Sequence, residues 1–253
     1  MTRISTSAAA QAALVDLMRS QRNVFEAQQQ LTTGKIAPDL KGSGFRTESL
    51  AAAYGARDRA EGYRFSAERV GHKMEITAIA LDKLSDAATD LRVAMTAADG
   101  TYIMSQAREA FEKARNALST QHAGAYIFGG TRTDANPITA TSLADLVAAP
   151  TASDVFVNSS RRPAAKLDDQ YTQETGLLAD EVGTDLMAAF KRLAEYDAGV
   201  NGPFDGPLTD AQYTYLQGEI ANVIAAFDGI ADKVGENGAL QSRVESIVNT
   251  QQK

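Results

Sequence analysis

The chain has 253 residues and a formal net charge of −7; this diffuse acidity argues against nucleic acid, whose binding rests on clustered Lys and Arg neutralising phosphates. Hydrophobic residues make up 44% but aromatic residues only 7%, with no tryptophan, and much of the apolar content is alanine, which lets helices approach closely and builds a thin core. There is no cysteine, which rules out structural disulfides and cysteine-based zinc sites, and no stretch approaches the roughly 20 apolar residues of a membrane span.

Residues 1–35 form the first predicted helix. Ala10, Leu17, Val24 and Leu31 recur every seven residues, with Leu14, Gln21 and Gln28 interleaved. Met18 and Phe25 widen this seam, and the opposite face carries Asp16, Arg19, Arg22 and Glu26. Thr2 to Leu17 is amphipathic without a continuous apolar core, so it lacks the pattern of a cleavable secretory signal. Thr32-Thr33-Gly34 is a suitable helix stop. A helix of this length with an exposed seam needs a partner, from its own chain or from neighbouring subunits. The same stripe could instead lie on a membrane surface, but its polar face has no Lys cluster and glutamines interrupt the seam, which favours assembly.

Pro38, Gly42 and Gly44 make 36–44 a linker. A long helix is expected over about 46–98, carrying Ala53, Ala56, Ala60, Tyr63, Ala67, Val70, Met74, Thr77, Leu81, Leu84, Ala88, Leu91, Met95 and Ala98 at alternating three-four spacing. Asp99-Gly100 should end it, and a third helix should run to about 123 with Ile103, Ala107, Ala110, Ala114 and Ala117 on one edge beside Met104, Phe111 and Leu118. From 124 to 176 periodicity is weak and turn residues are frequent. The expectation there is a small β-rich or irregular insert, with Val155-Phe156-Val157 and Ala165 to Tyr171 as candidate strands. Helix returns over 177–197 with Leu178, Val182, Leu186, Phe190 and Leu193 on one face. Thr209 then reads as the N-cap of a helix whose stripe is Tyr213, Leu216, Ile220, Val223, Phe227, Ile230, Val234, Asn237, Gln241, Val244 and Val248.

Two long seams far apart in sequence are most simply buried against each other. The fold class that follows is mainly α: an elongated antiparallel helical rod or coiled-coil-like bundle with a small β-rich or irregular outer insert, the middle of the chain lying at the far end.

Catalytic chemistry finds little support. His72 and His122 lie far apart in sequence, without nearby Cys or paired carboxylates at ligand spacing. Gly129-Gly130 lacks the lysine and following helix of a phosphate loop and reads as a turn. The methionines Met74, Met95 and Met104 fall on helical stripes as core residues. No enzyme, metal or cofactor is expected. Arg57, Asp58, Arg59, Glu61, Arg64, Glu68 and Arg69 form a mixed charge run, readable as a solvated helix face with i,i+4 pairs or as a subunit-contact surface.

Met1-Thr-Arg-Ile-Ser-Thr followed by Gln28-Gln29-Gln30-Leu31-Thr32-Thr33-Gly34-Lys35 resembles the N-terminal region of the flagellin family. Tyr126-Ile127-Phe128-Gly129-Gly130-Thr131-Arg132-Thr133-Asp134, with Pro137 after it, looks like the exit from the helical domain in that family's hook–filament junction members. Gly235 to Val248, with Ala239-Leu240-Gln241-Ser242-Arg243-Val244-Glu245, is similar to the family's C-terminal rod helix. The resemblance implies an inner domain half at 1–40, a helical rod domain at 41–130 and 177–253, and a small variable outer domain at 131–176. It implies a structural part joining hook to filament, with a filament flagellin as the alternative. Partners would be other flagellar subunits, further copies in a ring or helical lattice, and an export chaperone. The location would be the extracellular flagellum, reached through its type III apparatus by an uncleaved signal. The seam of Leu14, Leu17, Met18, Val24, Phe25 and Leu31 would pack in the tube core. The family's further C-terminal helix would begin near Gln251-Gln252-Lys253, where this sequence stops, so residues 1–35 are expected to be mobile in a monomer or to borrow a neighbour's surface.

Overall fold

The computed structural model describes residues 2–35 and 47–251; the linker expected at Pro38, Gly42 and Gly44, the initial Met1, and Gln252 and Lys253 lie outside the described residues. The described chain is mainly α, with six α-helices and two small antiparallel sheets. It divides into two compact units, Met1–Arg59 and Ala60–Lys253.

In the first unit α1 spans Thr2–Thr33. It stops where Gly34 enters the left-handed region at φ 65°, its amide donating to Gln30 O at 2.8 Å. The start of α2, which runs Thr47–Met95, belongs to the same unit.

The second unit holds the core. The α2 helix ends at Met95, three residues before the expected Ala98, because its last amides tighten onto Val93 O and Ala94 O. Asp99 then caps a single 3-10 turn, Gly100–Tyr102, accepting from the Thr101 amide at 2.8 Å. From there α3 (Ile103–Leu118) buries all eight residues expected on its apolar side. It does not continue to 123. Ala123 and Gly124, both at positive φ, reverse the chain into a hairpin of β1 (Gln121–His122) and β2 (Ala125–Tyr126), so His122 sits in a strand.

In the middle segment α4 (Leu143–Ala148) was not anticipated. Its reciprocal cap is visible in sequence as Ser142 three residues before Asp145, whose carboxylate accepts from the Ser142 amide at 3.0 Å. The candidate strand at 155–157 is instead the end of a 3-10 turn (Ala152–Val155) and a lone bridge from Phe156 to Ile138. Asp154 winds that turn by accepting from Thr151. The stretch from Ala165 to Tyr171 supplies most of β3 (Ala164–Lys166) and a turn, and β3 pairs with β4 (Thr172–Glu174). The α5 helix (Ala179–Asp197) buries Val182, Leu186, Phe190 and Leu193. The α6 helix (Asp210–Gln251) starts with Thr209 and Gln212 capping each other at 3.3 and 3.0 Å.

The two long stripes do face each other, antiparallel. Asn237 Nδ2 donates to Met74 O at 3.0 Å, and Val244 lies 4.0 Å from where a Cβ on Gly71 would stand. Burial on α2 begins at Ala67 rather than Ala53. Ala53, Ala56 and Ala98 are exposed, as are Tyr213 and Phe227 of the second stripe.

The middle of the chain is not beyond the end of this pair, as expected from the two seams alone. Turns at 96–102 and 198–209 close that end, joined by the Gly100 amide donating to Gly206 O at 2.7 Å. The α3 and α5 helices fold back against α2 and α6. Their main core includes Leu81, Leu84, Leu91, Phe111, Leu186 and Phe190. The loop of the β3–β4 hairpin then supplies Leu167 to a second small cluster with Ala67, Val70, Met74 and Val244.

Phe111 and Phe190 meet edge to face at 5.6 Å between centroids and are both fully buried. Phe190→Ala should destabilise the second unit by about 3–5 kcal/mol in denaturant unfolding, since the alanine-lined walls around it have little volume with which to fill the void.

Candidate functional site

The amphipathic surface expected on α1 is present and open. Every side chain from 7 to 35 is exposed. Leu14, Leu17, Met18 and Val24 are 60%, 58%, 60% and 57% accessible, Phe25 66% and Leu31 85%, so each seam residue presents more than half its area. Monomeric proteins seldom leave that much contiguous apolar surface in water without an interaction that covers it.

The charge run lies along α2 in two parts. In the first unit Arg57 pairs with its neighbour Asp58 at 2.9 Å and lies 5.4 Å from the Tyr54 ring centroid. In the second unit Arg64 and Glu68 form an i,i+4 pair at 2.9 Å, and Glu61 and Arg69 are exposed. Arg59 is exposed in the first unit. The run is mostly exposed and holds the pairs Arg57–Asp58 and Arg64–Glu68, and exposed pairs of this kind contribute little to stability. Beside it Tyr63 donates to Asp169 at 2.8 Å, with the Lys166 ammonium 5.8 Å from the Tyr63 ring, which fastens the β3–β4 hairpin to α2.

The Tyr126–Asp134 stretch is a knot between elements. Ile127 and Phe128 are buried. The Tyr126 amide donates to Thr133 O, Phe128 O accepts the first amide of α5 from Ala179, and Gly129 O accepts from Ser159 and Arg132. Thr131 donates its amide to Arg161 O at 3.0 Å, and its hydroxyl meets that of Ser159 at 2.7 Å. Arg132 reaches Val157 O at 3.4 Å. A Cβ on Gly129 would lie 2.2 Å from Arg132 O; one on Gly130, where φ is 69°, would lie 2.7 Å from Arg161 O and 2.8 Å from Leu178. Both glycines are therefore required by close backbone approach. Thr131, Arg132 and Asp134 remain exposed at the rim.

Two cations organise the surroundings, and neither was singled out from sequence. Lys191 on α5 donates to the carbonyls of Leu146, Val147 and Ala149 at 3.1, 3.0 and 2.6 Å, neutralising the C-terminal end of α4. Arg162 bridges Glu181 of α5 at 2.7 Å and Glu236 of α6 at 2.5 Å. The Lys191 contacts span more than 40 residues of sequence, and Arg162 reaches Glu236 across 74, so no local pattern announces them.

Among the described residues no group of three His, Asp or Glu could hold a metal ion, and no helix is long and apolar enough to cross a membrane. His72 lies 3.3 Å from Glu75 on an exposed helix face. A recess of about 240 Å³ between α2 and α6 is lined by Ala88, Thr89, Arg92, Val223, Ile224, Phe227 and Asp228.

Several carboxylates make the fold more stable at neutral pH than in acid. Hydrogen bonds from Lys233 and then Arg162 keep the Glu236 carboxyl below its ordinary value of 4.5. Threonine hydroxyls and amides do the same for Asp99, Asp145 and Asp154. A carboxyl held low in the folded chain contributes stability above its unfolded value and loses it as pH falls through the folded value.

No family model matches the chain, and no curated protein matches it by sequence. Two solved structures share its fold. One is a protein from Vibrio parahaemolyticus provisionally assigned as a flagellar hook-associated protein, with a TM-score of 0.67 and 12% identity over 85% of this chain and 94% of the other. The second is Bacillus cereus FlgL, with a TM-score of 0.58 and 16% identity over 77% of this chain and 98% of the other.

Gly130→Ala should lower stability by at least ~2 kcal/mol in chemical unfolding, adding a left-handed φ penalty to the clash with Arg161 O. The thermal midpoint should fall as pH drops below about 4.5, and Glu236→Gln should flatten part of that slope in a pH series of melts.

Proposed function

We propose that this protein is a structural subunit of the bacterial flagellum and, within it, the adaptor that joins hook to filament. The observation that carries the reading is the open seam of α1. Six large apolar side chains on one helix face the solvent, and burying them against neighbouring copies would stabilise an assembly at about 25 cal/mol per Å² covered. The fold shared with the Vibrio parahaemolyticus protein provisionally assigned as flagellar hook-associated, and with Bacillus cereus FlgL, supports the flagellar setting, and the Tyr126–Asp134 resemblance favours the junction over the filament.

In this reading residues 1–40 pack in the tube core, 41–130 and 177–253 form the rod domain, and 131–176 form the outer part. Contact between subunits in an open, head-to-side lattice uses one surface against a different one. The charge run from Arg57 to Arg69 lies along such a contact, where its internally paired charges would set partner choice more than affinity. The protein leaves the cell through the flagellar type III apparatus, escorted by an export chaperone, and works mechanically without a cofactor.

The test is immunogold electron microscopy of intact cells with antibody to residues 131–176. A band of label between hook and filament is the expected result. Label along the filament would make the chain a flagellin, and bare appendages would remove the flagellar reading. In parallel, Leu17→Glu with Phe25→Glu should shift the unfolding free energy by no more than about 0.5 kcal/mol, because both side chains are already exposed, while abolishing incorporation of the subunit and motility on soft agar.

A further inference from the structure

At the turn between α5 and α6 three aromatic rings stack in sequence. Phe204 lies 5.5 Å from Tyr196, and Tyr196 lies 3.8 Å from Tyr215 with the two rings only 12° from parallel. At that separation the two phenol faces are in van der Waals contact. The Tyr215 hydroxyl is buried and has no hydrogen-bond partner, and desolvation, followed by the nearby Glu219 charge, pushes its ionisation upward. No polar contact therefore explains the hydroxyl. Tyr196 and Tyr215 line an open recess of about 470 Å³, shared with Arg192, Glu195 and Val200, so a small oxidant has access from solvent. The chain has no cysteine and cannot make a disulfide.

We propose that Tyr196 and Tyr215 are an oxidative cross-linking site, converted by a peroxidase-type one-electron oxidant using hydrogen peroxide into a dityrosine that staples α5 to α6. Each phenol gives up one electron and one proton. The peroxide takes both pairs and leaves as two waters. The two phenoxyl radicals join through a carbon–carbon bond between positions ortho to the oxygens, and each of those carbons passes its hydrogen to its own oxygen, restoring both phenols. Holding the rings in contact replaces a bimolecular encounter with an intramolecular one.

The full chain, kept dilute, is treated with peroxidase and hydrogen peroxide, digested, and searched by mass spectrometry for joined peptides two hydrogens lighter than their sum. A Tyr196–Tyr215 link within the monomer is expected, in about tenfold excess or more over links involving the exposed Tyr54, Tyr102 and Tyr213. Tyr215→Phe should abolish it with the circular dichroism spectrum unchanged, since the lost hydroxyl bonds to nothing. Because a bulky peroxidase heme works at a distance, photo-oxidation with a ruthenium tris-bipyridyl complex and persulfate repeats the test with a small oxidant. Links confined to exposed tyrosines under both oxidants, or equal product from Tyr215→Phe, would overturn the proposal.

Discussion

A chain with so few aromatic residues cannot fill wide gaps between helices, so its helices must come close. This constraint governs the second unit. The faces that α2 and α3 turn inward are rich in alanine: Ala80, Ala87, Ala88 and Ala94 on one, Ala107, Ala110, Ala114 and Ala117 on the other. Small side chains let the backbones approach, and a few large ones, Phe111, Phe190 and Phe128 among them, fill the spaces where three or four elements meet. Close approach also explains Gly183 in the middle of α5. A Cβ there would lie 2.9 Å from the Phe156 ring and 3.0 Å from Leu118, so a residue that weakens an isolated helix is the one that lets this helix dock.

The irregular middle segment puts Ile127, Phe128, Ile138, Leu143, Leu146 and Val155 into the main core and is fastened further by charge and backbone. Lys191 holds the end of α4, Arg162 ties the segment to α5 and α6, and the Phe128 carbonyl accepts the first amide of α5. These attachments converge on α5, which makes that helix the common anchor of segments from 128 to 162.

The long helices were legible because their three-four spacing persists over many turns, and Gly34 and Thr209 mark the end of α1 and the start of α6. What spacing could not convey was where burial begins and ends along a stripe. Ala53 and Ala67 occupy equivalent positions in the pattern, yet only the second is buried. The return of the middle segment onto the helices was hidden for a related reason: it depends on contacts such as Tyr63 to Asp169, separated by 106 residues. The short α4 and the β1–β2 hairpin are each built from a cap or a turn, signals only a few residues long that disappear in a window tuned to helices. Of the candidate surface, the seam of α1 was fully readable, whereas the role of Gly129 and Gly130 as close-contact points required the neighbouring strands of chain to be in place.

Asn237 has a consequence for how the two long helices respond to force. It is a buried amide in a mostly apolar stripe, and its partner is a main-chain carbonyl at Met74 rather than a side chain. Sliding α6 along α2 by a fraction of a turn strips that amide of its acceptor while it is still dry, and the next equivalent position lies a full heptad away. Displacement along the pair is therefore stepped rather than continuous. A pull below the threshold for one step is met by an elastic seam that returns to the same alignment when the load is released.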